Sequence, residues 1–180
     1  DDGVEIKNGA TGNLIGGTTA GAGNLIAFNA LDGVNLVNGT DNTVIGNQIH
    51  PNTGLGIDLG TSGVTANDSG DADSGSNDLQ NYPVITQADL SGTDLTVSGT
   101  LDTDGLNTQY RIDFYGNPAG TQDATNGEGR IYLGSTTVTT NGSGDATFST
   151  VTLSGVTPVA GDYVTGTATE IVNPAQVGID

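Results

Sequence analysis

The stretch from Asn67 to Pro83 holds four carboxylates, Asp68, Asp71, Asp73 and Asp78, and three asparagines, Asn67, Asn77 and Asn81. Small residues separate them, and the stretch has no Lys or Arg and one large aliphatic side chain, Leu79. Such a segment cannot order itself by burying apolar surface. Like charges this close repel, so the stretch is either a solvated acidic linker or is neutralised by a hard cation. Its spacing favours the cation. Ca²⁺ takes about six to eight oxygen ligands from carboxylates, amide oxygens and backbone carbonyls. Asp71-x-Asp73-x-Gly75-x-Asn77 puts oxygens at alternate positions with a Gly where a tight turn needs one. The pattern lacks the later bidentate Glu of an EF-hand, and no helix pattern flanks it. The candidate ligands are Asp68, Asp71, Asp73, Asn77 and Asp78. A second candidate group, Asp123, Asn126 and Glu128, follows Pro118 and reads equally well as a solvated acidic loop. Asp102-Thr103-Asp104-Gly105 reads as a turn between strands.

Catalytic groups are sparse. The sole histidine, His50, precedes Pro51 at an expected corner, and there is no Cys. No second His exists to orient a Ser nucleophile. The basic residues are Lys7, Arg111 and Arg130. Carboxylates in a charged, exposed run seldom have the raised pKa that acid catalysis needs. The chain therefore reads as non-enzymatic.

The elements that position these groups follow from composition. The chain has 180 residues, with 21 acidic against 3 basic residues and a formal charge of -18. Nucleic acid and anionic membrane surfaces, both polyanions, are excluded as partners on that balance. The 30 glycines, with frequent Asn, Asp, Ser and Thr, mark many turns. β-Branched residues between them favour strand. No apolar run is long enough to span a membrane, and no signal peptide is visible. The strand-like start is that of a processed chain or of a piece of a longer one. An acidic, Lys-poor, Cys-free β protein of this kind fits a secreted or surface bacterial protein. The sequons at Asn38, Asn67 and Asn141 are expected by chance in an Asn/Thr-rich chain.

The first third is self-similar. Asn8 to Gly16 aligns with Asn38 to Gly46, and Asp2 to Ile6 with Asp32 to Leu36, both thirty positions on. Asn24-x-Ile26-x-x-Asn29 recurs as Asn47-x-Ile49-x-x-Asn52, and Gly33 to Leu36 as Gly56 to Leu59, both 23 positions on. One repeat of 23 residues explains both offsets if the seven residues Gly17 to Gly23 loop out of the first copy. Val4, Ile6, Leu14, Ile26, Val34, Leu36, Val44, Ile49, Ile57 and Leu59 supply an apolar inside, and Asn and Asp alternate outside. Very short strands between Asn and Gly corners suit a parallel β-helix, residues 1–62. An acidic junction, 63–83, and a second segment, 84–180, follow.

In that second segment, alternating runs recur between turn residues: 84–86, 95–101, 110–115, 131–134, 136–139, 146–151 and 163–168. Seven such strands predict an immunoglobulin- or fibronectin-like sandwich. Leu95, Val97 and Leu101 would face its core with Tyr110, Ile112 and Phe114. Asn141 to Asp145 reads as a turn.

Several strings carry a resemblance. Gly12-Asn13-Leu14-Ile15-Gly16-Gly17, Ala22-Gly23-Asn24-Leu25-Ile26 and Asp32-Gly33-Val34 resemble the coils of right-handed parallel β-helix repeats in large secreted bacterial proteins. The sandwich module that often follows such coils is similar to this chain at Asn77 to Pro83, Phe114-Tyr115, Asn117 to Gly120, Gly127 to Gly129 and Leu133 to Thr140. The similarity weakens at Thr169 to Pro174, so residues 171–180 are expected to form an extra strand that pairs elsewhere. The resemblance implies a surface or adhesin-type structural module, and the acid-rich run adds the expectation that Ca²⁺ stabilises it. About sixty residues give only two and a half coils, fewer than the three or so repeats usually needed. An open edge remains at Asp2 to Ile6, to be covered by upstream coils, by head-to-tail stacking of copies or by a donated strand. A glycan or another surface ligand is a further expected partner. The alternative is a carbohydrate-binding module or the tail of a polysaccharide-degrading enzyme, with Tyr82, Tyr115 and Tyr132 as sugar-stacking candidates.

Overall fold

A computed structural model of the chain describes residues 1–60, 63–120, 127–156 and 161–172. The described residues are all-β and form five sheets, none closed. Among the described residues no helix is long and apolar enough to cross a membrane.

The first seven strands are two or three residues long: β1 (Val4–Ile6), β2 (Leu14–Gly16), β3 (Leu25–Ile26), β4 (Val34–Leu36), β5 (Thr43–Ile45), β6 (Gln48–Ile49) and β7 (Ile57–Leu59). All pair in parallel, in three ladders: β1-β4-β7, β2-β5 and β3-β6. Two turns of chain thus lie one above the other, and β7 opens a third. Ile6, Ile26, Val34, Leu36 and Ile49 form the buried column, with Val4, Ile15, Val44, Ile57 and Leu59 packed against it. Strands this short are held by that column and by their stacked neighbours rather than by intrinsic propensity.

The registers refine the repeat. Val4 pairs with Val34, thirty positions on, but Leu14 pairs with Thr43, a shift of 29, and Leu25 with Gln48, a shift of 23. The seven extra residues of the first turn are therefore split. One lies in the corner between β1 and β2, and six lie between β2 and β3. A one-residue slip reverses the faces of a strand. Leu14, expected inside, is 44% exposed, and Ile15 takes the inward place opposite Val44. Ile45 is fully buried on the other face of β5, which lies against the second segment. Glycine is required where turns touch. At Gly46, φ is +67° and a Cβ would come within 2.3 Å of the Gly17 carbonyl oxygen.

The corner asparagines also differ from expectation. Asn42 and Asn47 are buried rather than outward-facing. Neither is among the residues with positive φ, so their part is played by the side chain. The Asn42 amide oxygen accepts from the backbone N–H and Nδ2 of Asn13, and Asn47 and Asn52 do the same for Asn24 and Asn29. Each of these corner N–H groups is thereby satisfied by the turn below.

The second segment has six described strands: β8 (Val84–Ser91), β9 (Asp94–Asp102), β10 (Gln109–Asn117), β11 (Ile131–Thr139), β12 (Asp145–Leu153) and β13 (Tyr163–Glu170). They form two antiparallel sheets, β12-β9-β8 and β11-β10-β13. Seven runs become six strands because 131–134 and 136–139 are one strand, with a bulge at Leu133 where Phe114 pairs Gly134 and Tyr115 pairs Tyr132. The sheets share a core of Leu95, Val97, Leu101, Tyr110, Ile112, Phe114, Leu133, Val138, Ala146, Phe148 and Leu153. Phe114 meets Phe148 edge-on at 5.6 Å. The Asn141 side chain closes the turn before β12, accepting from the N–H groups of Ser143 and Asp145. Beyond β13, Ile171 N–H donates to the Gln109 carbonyl oxygen; the strand expected across 171–180 falls largely on 173–180, outside the described residues.

The corrected register has a mutational signature. Leu36→Ala, in the buried column, should cost about 2–5 kcal/mol, whereas Leu14→Ala should stay within about 0.5 kcal/mol of the parent. Urea denaturation of the two variants checks this, and equal losses would restore the uncorrected register.

Candidate metal centre

The junction folds back on itself through side-chain amides. Asn67 binds the Tyr82 backbone twice, its Oδ1 accepting from Tyr82 N–H at 2.9 Å and its Nδ2 donating to the Tyr82 carbonyl at 2.8 Å. Asn81, nearly buried, treats Asp68 in the same way and also donates to the Asp102 carbonyl at 3.0 Å. Two asparagines bracketing a run of acids thus stand in for a strand pairing. The chain between them turns tightly. The Asp68 carboxylate accepts from Ala72 N–H, and Gly70 N–H donates to both oxygens of Asp102 at 3.1 Å.

This turn brings the carboxylate oxygens of Asp68, Asp71 and Asp73 within 4.8 Å of one another. Asp71, 5% exposed, sits at φ +50°. Its Oδ1 accepts from Asn81 N–H at 2.9 Å and its Oδ2 from Gln80 Nε2 at 3.1 Å. Burial pushes its carboxyl up to about 6, with Asp104 and Asp73 adding to the rise and hydrogen bonds from Asn81 and Thr103 opposing it. Asp71 is thus not the exposed, unperturbed acid that the charge run implied. Asp73 Oδ1 is buried without a hydrogen-bond partner. Oxygens around one Ca²⁺, each about 2.3–2.6 Å from it, lie up to roughly 5 Å apart. The spread of the three carboxylates, the desolvated Asp71 and the orphaned Asp73 oxygen all fit such an ion.

The other expected ligands lie elsewhere. Asn77 closes the stacked segment: its Oδ1 accepts from Asn42 N–H and its Nδ2 donates to the Asn42 carbonyl. Asn77, Asp78 and Leu79 all have positive φ, a strained run that persists only where surrounding contacts fix it. Asp78 stands outside the carboxylate group. It lines a cleft of about 750 Å³ between the last turn and the sheets. There it helps to raise the Glu170 carboxyl, together with burial, Asp104 and Asp41. Of the second group, Asp123 and Asn126 lie outside the described residues. Glu128 is buried, and its Oε1 accepts from the backbone N–H and Nδ2 of Asn52, both at 3.0 Å. Its neighbour Gly129 exchanges both backbone hydrogen bonds with Ile49.

Among the tyrosines, Tyr82 is exposed, but Tyr115 is 5% exposed and unavailable for stacking on a sugar. It packs edge-on against Tyr132 at 5.6 Å. The Tyr132 hydroxyl donates to Asp113 Oδ1 at 2.9 Å and accepts from Arg111 Nη2 at 2.8 Å. Arg111 Nε also donates to that carboxylate at 2.9 Å. Asp113 is fully buried; burial raises its pKa and Arg111 opposes the rise. Sequence reasoning missed Asp102, which docks the junction on β9 but reads locally as a turn residue, and Arg111–Asp113–Tyr132, which converges only through pairing of β10 and β11.

No protein-family model matches this chain, and no curated protein matches it.

The pKa of Asp71 sets a pH dependence. Raised in the folded state from 3.8 to about 6, it contributes stability that is fully present below the unfolded value and is lost as pH rises through about 6. With metal removed by EDTA, lowering the pH from about 7.5 to about 5 should raise Tm. Asp71→Asn should flatten that rise. Parallel pH profiles for the two proteins would refute the assignment.

Proposed function

We propose that this chain is a non-catalytic, calcium-stabilised structural module of an extracellular bacterial protein. In this reading residues 1–62 are a short right-handed parallel β-helix, and residues from 84 on form an immunoglobulin-like sandwich. Ca²⁺ at Asp68, Asp71 and Asp73 locks the junction between them. The observation that carries the reading is the convergence of three carboxylates around a desolvated Asp71 and an unpartnered Asp73 oxygen. The junction holding them is tied to the stacked turns through Asn77 and to the sheets through Asp102. An ion there would fix both halves, as a surface adhesin or fibre module under mechanical load requires.

Assembly, in this reading, runs through one edge. Glu128, Gly129 and Asn77 occupy the lower side of the stack, so head-to-tail stacking of turns would have to displace them. Among the described residues β1 pairs with no strand on its upper side, and a strand donated by another copy fits there.

An ion that binds only the folded chain stabilises it by about 2.7 kcal/mol at a hundredfold excess over Kd. That is a Tm rise of roughly 5–10 °C for a chain of this size. Calorimetry in EDTA and in calcium should show the rise, and Asp73→Asn should shrink it. Equal melting curves would defeat the calcium reading, and strictly monomeric sedimentation under both conditions would defeat the fibre version.

One observation favours the carbohydrate reading. Tyr132 and Arg111 line a pocket of about 420 Å³ together with residues of the looped-out 17–23 segment, and no carboxylate lines it. In so acidic a chain this is a carboxylate-free, hydrogen-bonding surface with an aromatic side chain and one guanidinium. Binding to plant or algal polysaccharides that is lost in Tyr132→Ala would support it, and an array with no binding would remove it.

A further inference from the structure

We propose a second cation site, separate from Asp68, Asp71 and Asp73, between the side chains of Asn35 and Asp58 on the β1-β4-β7 ladder. The two residues are direct partners in the parallel register of β4 and β7. Neighbouring strands lie about 4.8 Å apart, so side chains stacked on one face are separated by about that distance. An ion with oxygens at about 2.4 Å on either side spans the same gap.

Asp58 is 2% exposed. Its Oδ2 accepts from Gly63 N–H at 3.2 Å, but its Oδ1 is buried with no hydrogen-bond partner. The amide oxygen of Asn35 is likewise buried without a partner. Two orphaned acceptors therefore stand one above the other. A buried carboxylate is strongly disfavoured unless paired or coordinated. Burial raises the Asp58 carboxyl and the Asp32 and Asp2 carboxylates add to the rise, against hydrogen bonds from the backbone N–H groups of Gly63 and Leu59.

Turning the Asn35 amide over does not relieve this. Its Nδ2 donates to Asp2 Oδ2 at 3.3 Å, so a reversed amide would set its oxygen against the Asp2 carboxylate instead. In either orientation an amide between two carboxylates leaves one oxygen facing another. Lys7, the basic residue nearest in sequence, is ion-paired with Glu5. A hard cation satisfies both orphaned oxygens at once and neutralises Asp58. The competing occupant is a proton on Asp58, which would donate to Asn35.

Calcium titration of the intact chain, stripped with EDTA, separates these outcomes and separates this site from the Asp71 group. The expected result is that Asp58→Asn and Asn35→Ala each lose one bound ion, or at least tenfold in one affinity, and keep the event that Asp71→Asn removes. Asp71→Asn should show the converse. Undiminished calcium binding in either variant at Asn35 or Asp58 would overturn the proposal, and a higher Tm of Asp58→Asn in EDTA would then assign the position to a proton. Should Asp58→Asn fail to fold, Asn35→Ala decides, because it leaves the carboxylate in place.

Discussion

A stack of parallel strands ends in a row of backbone donors and acceptors, and the stack is only as stable as whatever meets them. In this protein the lower edge is met by residues from outside the stack. Glu128 takes the place that another Asn would hold beneath Asn52, Asn77 does the same beneath Asn42, and Gly129 pairs with Ile49 as a further strand would. These three contacts cap the stack at Asn42, Asn52 and β6 and tie it to the junction and the sheets, with β7 left as an edge strand among the described residues. A short stack whose column has only Ile6, Ile26, Val34, Leu36 and Ile49 fully inside depends on that closure. The left-handed run at Asn77 to Leu79 is consistent with a segment held in place by what it caps.

The negative charge of the chain is put to distinct uses. Some carboxylates act as acceptors for backbone N–H groups: Asp2 for Asp32, Asp32 for Leu55, Asp68 for Ala72 and Glu128 for Asn52. Asp113 is buried and compensated by Arg111 and the Tyr132 hydroxyl. Asp73, Asp58 and Asp113 each keep one buried oxygen without a hydrogen-bond partner, and burial raises the carboxyls of Asp71 and Asp58. A protein can carry such groups where a bound cation offsets their desolvation. The acids that look alike in composition differ in what surrounds them.

Much of the architecture is legible in one dimension. Period-two alternation marked Leu95, Val97, Leu101, Tyr110, Ile112 and Phe114 as core, and all six are buried. The offsets of thirty and 23 between like strings are the registers of β1 with β4 and of β3 with β6. Both signals are local and periodic, so side-chain type alone carries them. Asp71 and Asp73, two of the alternating positions read as a calcium loop, do converge, but with Asp68 rather than with Asn77, the next oxygen of that pattern. What spacing could not decide is the corner between β1 and β2. One extra residue there shifts the register by a single step, and a step of one exchanges inside for outside at Leu14 and Ile15.

The sequence by itself determined the all-β character, the repeat, the acid-rich seam and the near absence of basic groups. Tertiary structure alone decided which acids are desolvated and what each Asn is for. Asn77 and Glu128 carry oxygen atoms suited to a metal, yet both are turned to the edge of the stack, because an unsatisfied backbone N–H there is costlier than an amide or carboxylate lost to a loop. Asn35 and Asp58, unremarkable 23 residues apart in sequence, become neighbours only when two turns of chain lie in register. Hydrogen-bond satisfaction and burial are properties of all the atoms around a group, and a linear pattern specifies only those nearest in the chain.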